Sequence, residues 1–264
     1  MRNVALLIAY DGSGFAGSQR QVGVRTVQSV LEHALEGLTG ESPEVARFAA
    51  AGRTDAGVHA RGMVVNFRSE RLLAPRSWVG GLNARMQDDI RVLDAVEVEE
   101  GFHSRFSAVA RSYRYEVLTT RVPDPLCRSH VLWEPRPLPA RDALVESFRS
   151  IVGTHDFTAF GSAGSSERNP VCTVMEADVE DRGERLVFRV KARSFLYHMV
   201  RRLVGAALEV GRGRFPAATL RELLEPGKHR FVPPTAPARG LVFWSVDYRP
   251  PYAGLFGSLL GGAT

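Results

Sequence analysis

The segment Ala51-Gly-Arg-Thr-Asp-Ala-Gly-Val-His-Ala60 sets a carboxylate, a guanidinium and an imidazole between two apolar runs. Gly52 and Gly57 allow a tight or left-handed path that brings backbone close to a ligand. In such a turn Asp55 can be a nucleophile, a general base, or an Asx-turn residue that bonds its own backbone. Arg53, two residues away, favours an ionised carboxylate. A purely structural Arg–Asp pair would read the same way. His59 fits phosphate binding or, more simply, the ordering of the loop.

Two further segments hold groups able to complete a site. In Arg111-Ser-Tyr-Arg-Tyr115 the alternation of a strand puts Arg111, Tyr113 and Tyr115 on one face and Arg114 on the other. Tyr113 then either stacks on a base or joins a core-facing tyrosine pair. The stretch from Phe195 to Gly205 reads as the start of a helix. In it Arg201 follows Tyr197 by four residues and His198 by three, so the three share a face.

Other chemistries lack their signatures. There is no HExxH, no paired cysteines and no DxD cluster, so no metal is expected. Gly161-Ser-Ala-Gly164 is not a nucleophile elbow, and no Walker A sequence occurs. Gly12, Gly14 and Gly17 spell G-x-G-x-x-G, but the next helical pattern begins only near Thr26, too late to hold a pyrophosphate. What remains is a carboxylate working without metal or cofactor.

The elements that must position these groups follow from periodicity. Residues 3–9 read as a buried strand and 26–38 as an amphipathic helix. Residues 48–51 and 63–67 read as a strand pair joined by the Asp55 segment. A helix at 75–83, opened by Pro75, and a strand at 89–98 complete the first half. The second half repeats the order. It has a strand at 112–118, a helix at 142–152, a hairpin of 171–180 with 185–191, helices at 195–210 and 217–224, and a strand at 241–248. Two β-α-β-β-α-β units predict an α+β fold of two ferredoxin-like halves. These would form a mixed, mainly antiparallel sheet with a central RNA-binding cleft. The expected division is 1–107, 108–249 and a tail of 250–264.

A chain of 264 residues can bury a sizeable core, and its apolar runs are too short to cross a bilayer. The apolar N-terminus leads straight into Asp11-Gly-Ser-Gly without a cleavage site, which predicts an opening strand rather than a signal peptide. Cys127 and Cys172 stand alone, which predicts a reducing cytoplasm. The formal charge is +5, and every cation except Lys191 and Lys228 is arginine. Guanidinium groups fork phosphate and stack on bases, which suits RNA. A general arginine preference or thermal adaptation would leave the same mark.

An ordered set of motifs makes the reading specific. Tyr10-Asp-Gly-Ser-Gly-Phe-Ala-Gly-Ser-Gln19, Gln28, the Asp55 segment, Phe102-His-Ser-Arg-Phe106, Arg111-Ser-Tyr-Arg-Tyr115, Ser194-Phe-Leu-Tyr-His-Met-Val-Arg201 and Ala238-Arg-Gly-Leu-Val242 occur in that order. Together they resemble the TruA family, tRNA pseudouridine synthase I, from the first strand to about Tyr248. The resemblance implies an isomerase that detaches uracil from C1′, rotates it and reattaches it through C5, without a cofactor. Its targets would be uridines 38, 39 and 40 in the anticodon stem-loop of tRNA, gripped by a homodimer. Asp55 would be the catalytic carboxylate, with Arg201 as its basic partner and Tyr113 packing on the base or handling a later proton. Arg53 would hold the extruded nucleotide or fill its place, Leu241 would wall the pocket, and Asp11 and Gln19 would touch RNA. Ser18 departs from the pattern, since many relatives have an aromatic residue there. The rivals are a non-catalytic RNA-binding module, an Asp-nucleophile hydrolase, and a synthase acting on another RNA.

Overall fold

The structure is a computed structural model that describes residues 1–162, 169–225 and 231–257. Lys228, the end of the Gly161-Ser-Ala-Gly164 stretch and the last part of the tail lie outside the described residues. Two compact units emerge: Met1–Arg111 with the segment from Phe243 onward, and Ser112–Val242.

The first unit runs β1 (Arg2–Tyr10), α1 (Val27–Thr39), α2 (Pro43–Ala46), β2 (Ala49–Ala50), β3 (His59–Ser69), α3 (Pro75–Asn83) and β4 (Ile90–Val98). Strand β1 lies between β3 and β4 and is antiparallel to both, with Leu6 opposite Val65 and Ala95. Both its faces are covered, so Val4 to Ile8 are all buried and the segment shows no polar alternation. Helix α1 starts where the pattern predicts. Thr26 accepts the Ser29 N–H at 3.2 Å, and the Ser29 hydroxyl accepts the Thr26 N–H at 3.0 Å. Gly40 ends the helix at φ 76. Helix α3 buries Trp78 and Leu82 and sets Trp78 edge-on to Phe67, ring centroids 5.1 Å apart.

The second unit takes up β5 (Ala108–Leu118), whose start belongs to the first, and β6 (Leu132–Trp133). It continues through α4 (Arg141–Arg149), β7 (Gly153–Asp156), β8 (Val171–Asp181), β9 (Arg185–Ala192), α5 (Met199–Gly211) and α6 (Thr219–Glu222). The closing strand β10 (Leu241–Tyr248) begins here and ends in the first unit. The strand order is β5-β9-β8-β7, and β6 pairs with β5 in parallel. The β8–β9 hairpin turns at Gly183, with φ 77, as the Asp181-Arg-Gly183 signal predicts. Helix α4 packs Phe148 edge-on to Phe188 of β9, centroids 5.1 Å apart.

The architecture is mixed α+β, as the element order implied. Strands β6 and β7 and helix α2 are two to four residues long, too short to leave a periodic mark. Several predicted starts are corrected, and β3 and β5 each begin four residues earlier than expected, at His59 and Ala108. The helix expected from residue 195 begins at Met199, because His198 takes a left-handed conformation, φ 65. Among the described residues, no helix is long and apolar enough to cross a membrane.

Candidate active site

Asp55 sits half-buried in the connection between β2 and β3, one residue after the buried Thr54. The Val58 N–H donates to the Asp55 carbonyl at 3.1 Å, closing a tight turn. Gly57, at φ 78, holds the third position, where a type II turn needs a positive φ. Thr54 is fixed from both sides. Its N–H donates to the Ser18 hydroxyl at 2.8 Å, and its carbonyl accepts the Ser18 N–H at 3.0 Å. Its own hydroxyl meets the Tyr10 phenol at 2.8 Å. Burial pushes the Tyr10 phenol up, so it stays protonated and available for that bond.

The Ser18 segment is held in turn by the start of α1. The Val27 and Gln28 N–H groups donate to the carbonyls of Gly17 and Ser18 at 3.3 and 3.0 Å. Gly17 has φ 98, and a Cβ there would lie 3.0 Å from the Thr54 carbonyl oxygen. Of the glycines read as a weak dinucleotide signal, Gly12 and Gly17 therefore serve backbone packing. At Gly12 a Cβ would stand 2.0 Å from the Val58 oxygen, which no side chain allows. The Arg111 guanidinium anchors the upstream end, donating from Nε to the Ala51 carbonyl at 3.1 Å.

Asp11 accepts the Ser13 N–H at 2.9 Å and caps the short turn after β1. Its carboxylate also lies 3.1 Å from His59 Nδ1. The same nitrogen accepts the Gly12 N–H at 3.0 Å. One nitrogen cannot both accept that bond and donate to Asp11. The Gly12 N–H direction is set by the backbone, so we assign Nδ1 as its acceptor. The buried His59 thus orders the turn that packs on Val58. Arg53 and Gln19 are exposed. In the first unit the structure joins Asp55, Arg53, Asp11 and Ser18 into one braced loop system, with Gln19 following on its rim.

The remaining predicted residues lie in the second unit. Tyr113 is half-buried and edge-on to Phe195, centroids 5.0 Å apart. Tyr115, its expected face-mate, is fully buried and donates to the Pro237 carbonyl at 2.8 Å. Burial raises the Tyr115 phenol against the weaker pull of Arg201 and Arg239, which keeps it a donor. Arg114 pairs with Glu116 at 3.0 Å.

Arg201 donates from Nε to the Ala236 carbonyl at 2.7 Å, and its carbonyl accepts the Ala236 N–H at 3.1 Å. Both bonds strap residues 234–236 across α5. Gly205 permits the crossing, since a Cβ there would lie 1.9 Å from the Pro234 oxygen. Leu241, buried, opens β10 just after this strap. The helical spacing expected between Arg201, Tyr197 and His198 does not form, because both aromatics precede α5. Instead Tyr197 stacks on His198, and the His198 ring meets the Ser162 hydroxyl at 3.0 Å.

Ser18 and Arg111 are the bracing residues that motif reading missed as such. For Arg111, strand alternation pointed to the right face but named no acceptor. For Ser18, its departure from the family pattern was the only signal.

Comparison with known proteins supplies the last observation. The family model described as tRNA pseudouridine synthase matches residues 6–107 and 148–249. A protein named tRNA pseudouridine synthase A from Geobacillus kaustophilus (strain HTA426) is 42% identical over 247 residues, covering 94% of this chain and 95% of its own. One of the same name from Roseiflexus sp. (strain RS-1) is 45% identical over 254 residues, covering 94% and 91%. A third, from Alcanivorax borkumensis (strain ATCC 700651 / DSM 11573 / NCIMB 13689 / SK2), is 41% identical over 249 residues, covering 94% and 92%. With its braced carboxylate turn and likeness over nearly the full length of these relatives, the chain belongs to the tRNA pseudouridine synthase family.

Proposed function

We propose that this chain isomerises uridine to pseudouridine in the anticodon stem-loop of tRNA, at positions 38, 39 and 40, with Asp55 as the reacting carboxylate. The observation that carries the reading is a solvent-reachable Asp55 on a turn whose neighbour Thr54 is pinned on three sides. Family membership supplies the substrate class. The reaction breaks the C1′–N1 bond, turns the freed uracil and forms C1′–C5. C5 loses a proton and N1 gains one, so no electrons are exchanged and no cofactor is required. Asp55 acts by attack on C1′, by addition to the uracil ring, or by taking the 2′ proton toward a glycal. Each route needs an ionised oxygen held in place, which a braced turn provides without reorganisation.

The other residues divide the remaining work. Extruding a base costs a few kcal/mol, and the exposed Arg53 guanidinium offsets part of it by holding the nucleotide or filling its vacated space. Tyr113, already edge-on to Phe195, packs on the uracil or handles the later proton. Arg201 serves as the basic partner of the carboxylate, while Leu241 walls the pocket and excludes water from the base. Asp11 and Gln19 contact the RNA near the entry turn. The working form is a cytoplasmic homodimer that grips one tRNA with both subunits.

Asp55→Asn tests the proposal. The variant should bind unmodified tRNA close to wild-type affinity and form no pseudouridine in a single-turnover assay. Product formed at the wild-type rate would overturn the assignment.

A further inference from the structure

We propose that Phe106 is a stacking surface for a nucleobase of the bound tRNA, separate from the residues that handle the target uridine. The inference rests on tRNA being the substrate. Phe106 is 73% exposed on the turn between β4 and β5, whereas Phe102 on the same turn is buried. Single exposed apolar side chains are ordinary. Phe106 differs in being a large ring held out to solvent on a turn locked by hydrogen bonds.

The lock is made of hydrogen bonds. The Phe102 N–H donates to the Glu99 carbonyl at 3.0 Å, and the Ser107 N–H to the His103 carbonyl at 2.9 Å. The His103 N–H donates to the Ser107 hydroxyl at 3.1 Å. His103 Nδ1 accepts the N–H groups of Arg105 and Phe106 at 3.1 and 3.4 Å. The His103 ring supports the Phe106 ring, centroids 4.4 Å apart and planes 37° apart. The Arg105 guanidinium lies 5.8 Å from the Phe106 centroid.

The turn is also tied to the reactive loop. Ser104 donates from its N–H to Asn66 Oδ1 at 2.9 Å and from its hydroxyl to the Ala49 carbonyl at 3.0 Å. Arg111 bridges the Arg105 carbonyl at 2.6 Å and the Ala51 carbonyl at 3.1 Å. Phe106 is therefore held at a fixed offset from the entry of the Asp55 segment. A preorganised ring loses little entropy on binding.

The occupant follows from the ring's setting. A protein-binding hot spot is an aromatic enclosed by near-neutral packing contacts. Here the ring is borne by a turn of Ser104, Arg105 and Ser107, with a guanidinium beside it. A π face next to a cation suits a base whose phosphate reaches the guanidinium.

The test measures binding of an unmodified tRNA transcript by wild type and by Phe106→Ala, Phe106→Leu, Phe106→Tyr and Phe106→Trp. Because the side chain is exposed, all four should melt with the wild type. Ala and Leu should weaken binding roughly 5- to 100-fold, the range set by loss of one base–aromatic stack. Tyr and Trp should bind near wild type, and tryptophan emission of Phe106→Trp should be quenched by the tRNA. The salt dependence of binding should not change in Phe106→Ala, since no charge is removed. Wild-type affinity in Phe106→Ala, full affinity in Phe106→Leu, or loss of binding that tracks a change in subunit association would each overturn the stacking role. A wild-type protein that neither binds nor modifies tRNA would instead overturn the proposed function, and the stacking role with it.

Discussion

Replacing Ser18 by alanine removes the hydroxyl that receives the Thr54 N–H at 2.8 Å and leaves a buried donor unpaired. An orphaned donor of this kind costs about 1–3 kcal/mol. The Ser18→Ala variant should lose that much stability in denaturant titration. Its single-turnover rate should fall further, because Asp55 follows Thr54 directly, while tRNA affinity stays close to wild type. A rate unchanged within error would show that the brace does not position the carboxylate. Arg53→Ala is expected to do the reverse at the fold level, since the side chain is exposed: full stability with most of the turnover lost. A wild-type single-turnover rate would remove Arg53 from the reaction. The Asp55 turn and its glycines were legible in sequence, because the segment concentrates unusual residue types. Ser18 was legible only as a departure from a motif. Its role depends on a partner thirty-six positions away, and such pairings leave no local pattern.

At the scale of elements, periodicity marked α1, α3, α4 and both arms of the β8–β9 hairpin, since each has one apolar face or an alternating run. It misplaced the start of α5, because Phe195, Leu196 and Met199 continue the helical apolar spacing backward. Tertiary bonds override that spacing: Ser162 engages the His198 ring, and the Ser162 N–H donates to the Tyr197 carbonyl at 3.1 Å. The strap of residues 234–236 was equally invisible, although Gly205 inside the helical pattern was a clue to a close approach. Gly205→Ala would drive a Cβ into the Pro234 oxygen, and that backbone must move because no rotamer relieves the contact. The strap should lift and break the Arg201 Nε–Ala236 bond. Helix propensity alone would favour alanine by about 1 kcal/mol, so a destabilised variant would report the clash. Amide exchange at Ala236 should accelerate, with turnover falling as Arg201 loses its anchor. Wild-type protection there would refute the strap.

The whole molecule carries a formal charge of +5, almost entirely through arginine. Many guanidiniums are already paired, such as Arg2 with Glu97 at 2.6 Å and Arg149 with Asp178 at 2.7 Å. Exposed pairs of this kind are worth about 0–1 kcal/mol, so a phosphate can take over a guanidinium at little cost to the fold. Polyanion binding and fold stability should therefore respond differently to salt. Between about 50 and 200 mM salt, tRNA affinity should fall steeply, with a log–log slope of roughly −0.7 to −0.9 per phosphate neutralised. Over the same range the denaturation midpoint should barely shift, because the core is apolar and its exposed pairs contribute little. Titrating tRNA at several ionic strengths beside parallel melts checks both halves. A flat affinity would mean that the arginine bias reflects composition rather than RNA, returning the charge to the general arginine preference that the sequence alone left open. A steep affinity with a falling melt would mean that paired arginines hold the fold itself, and phosphate could not borrow them cheaply.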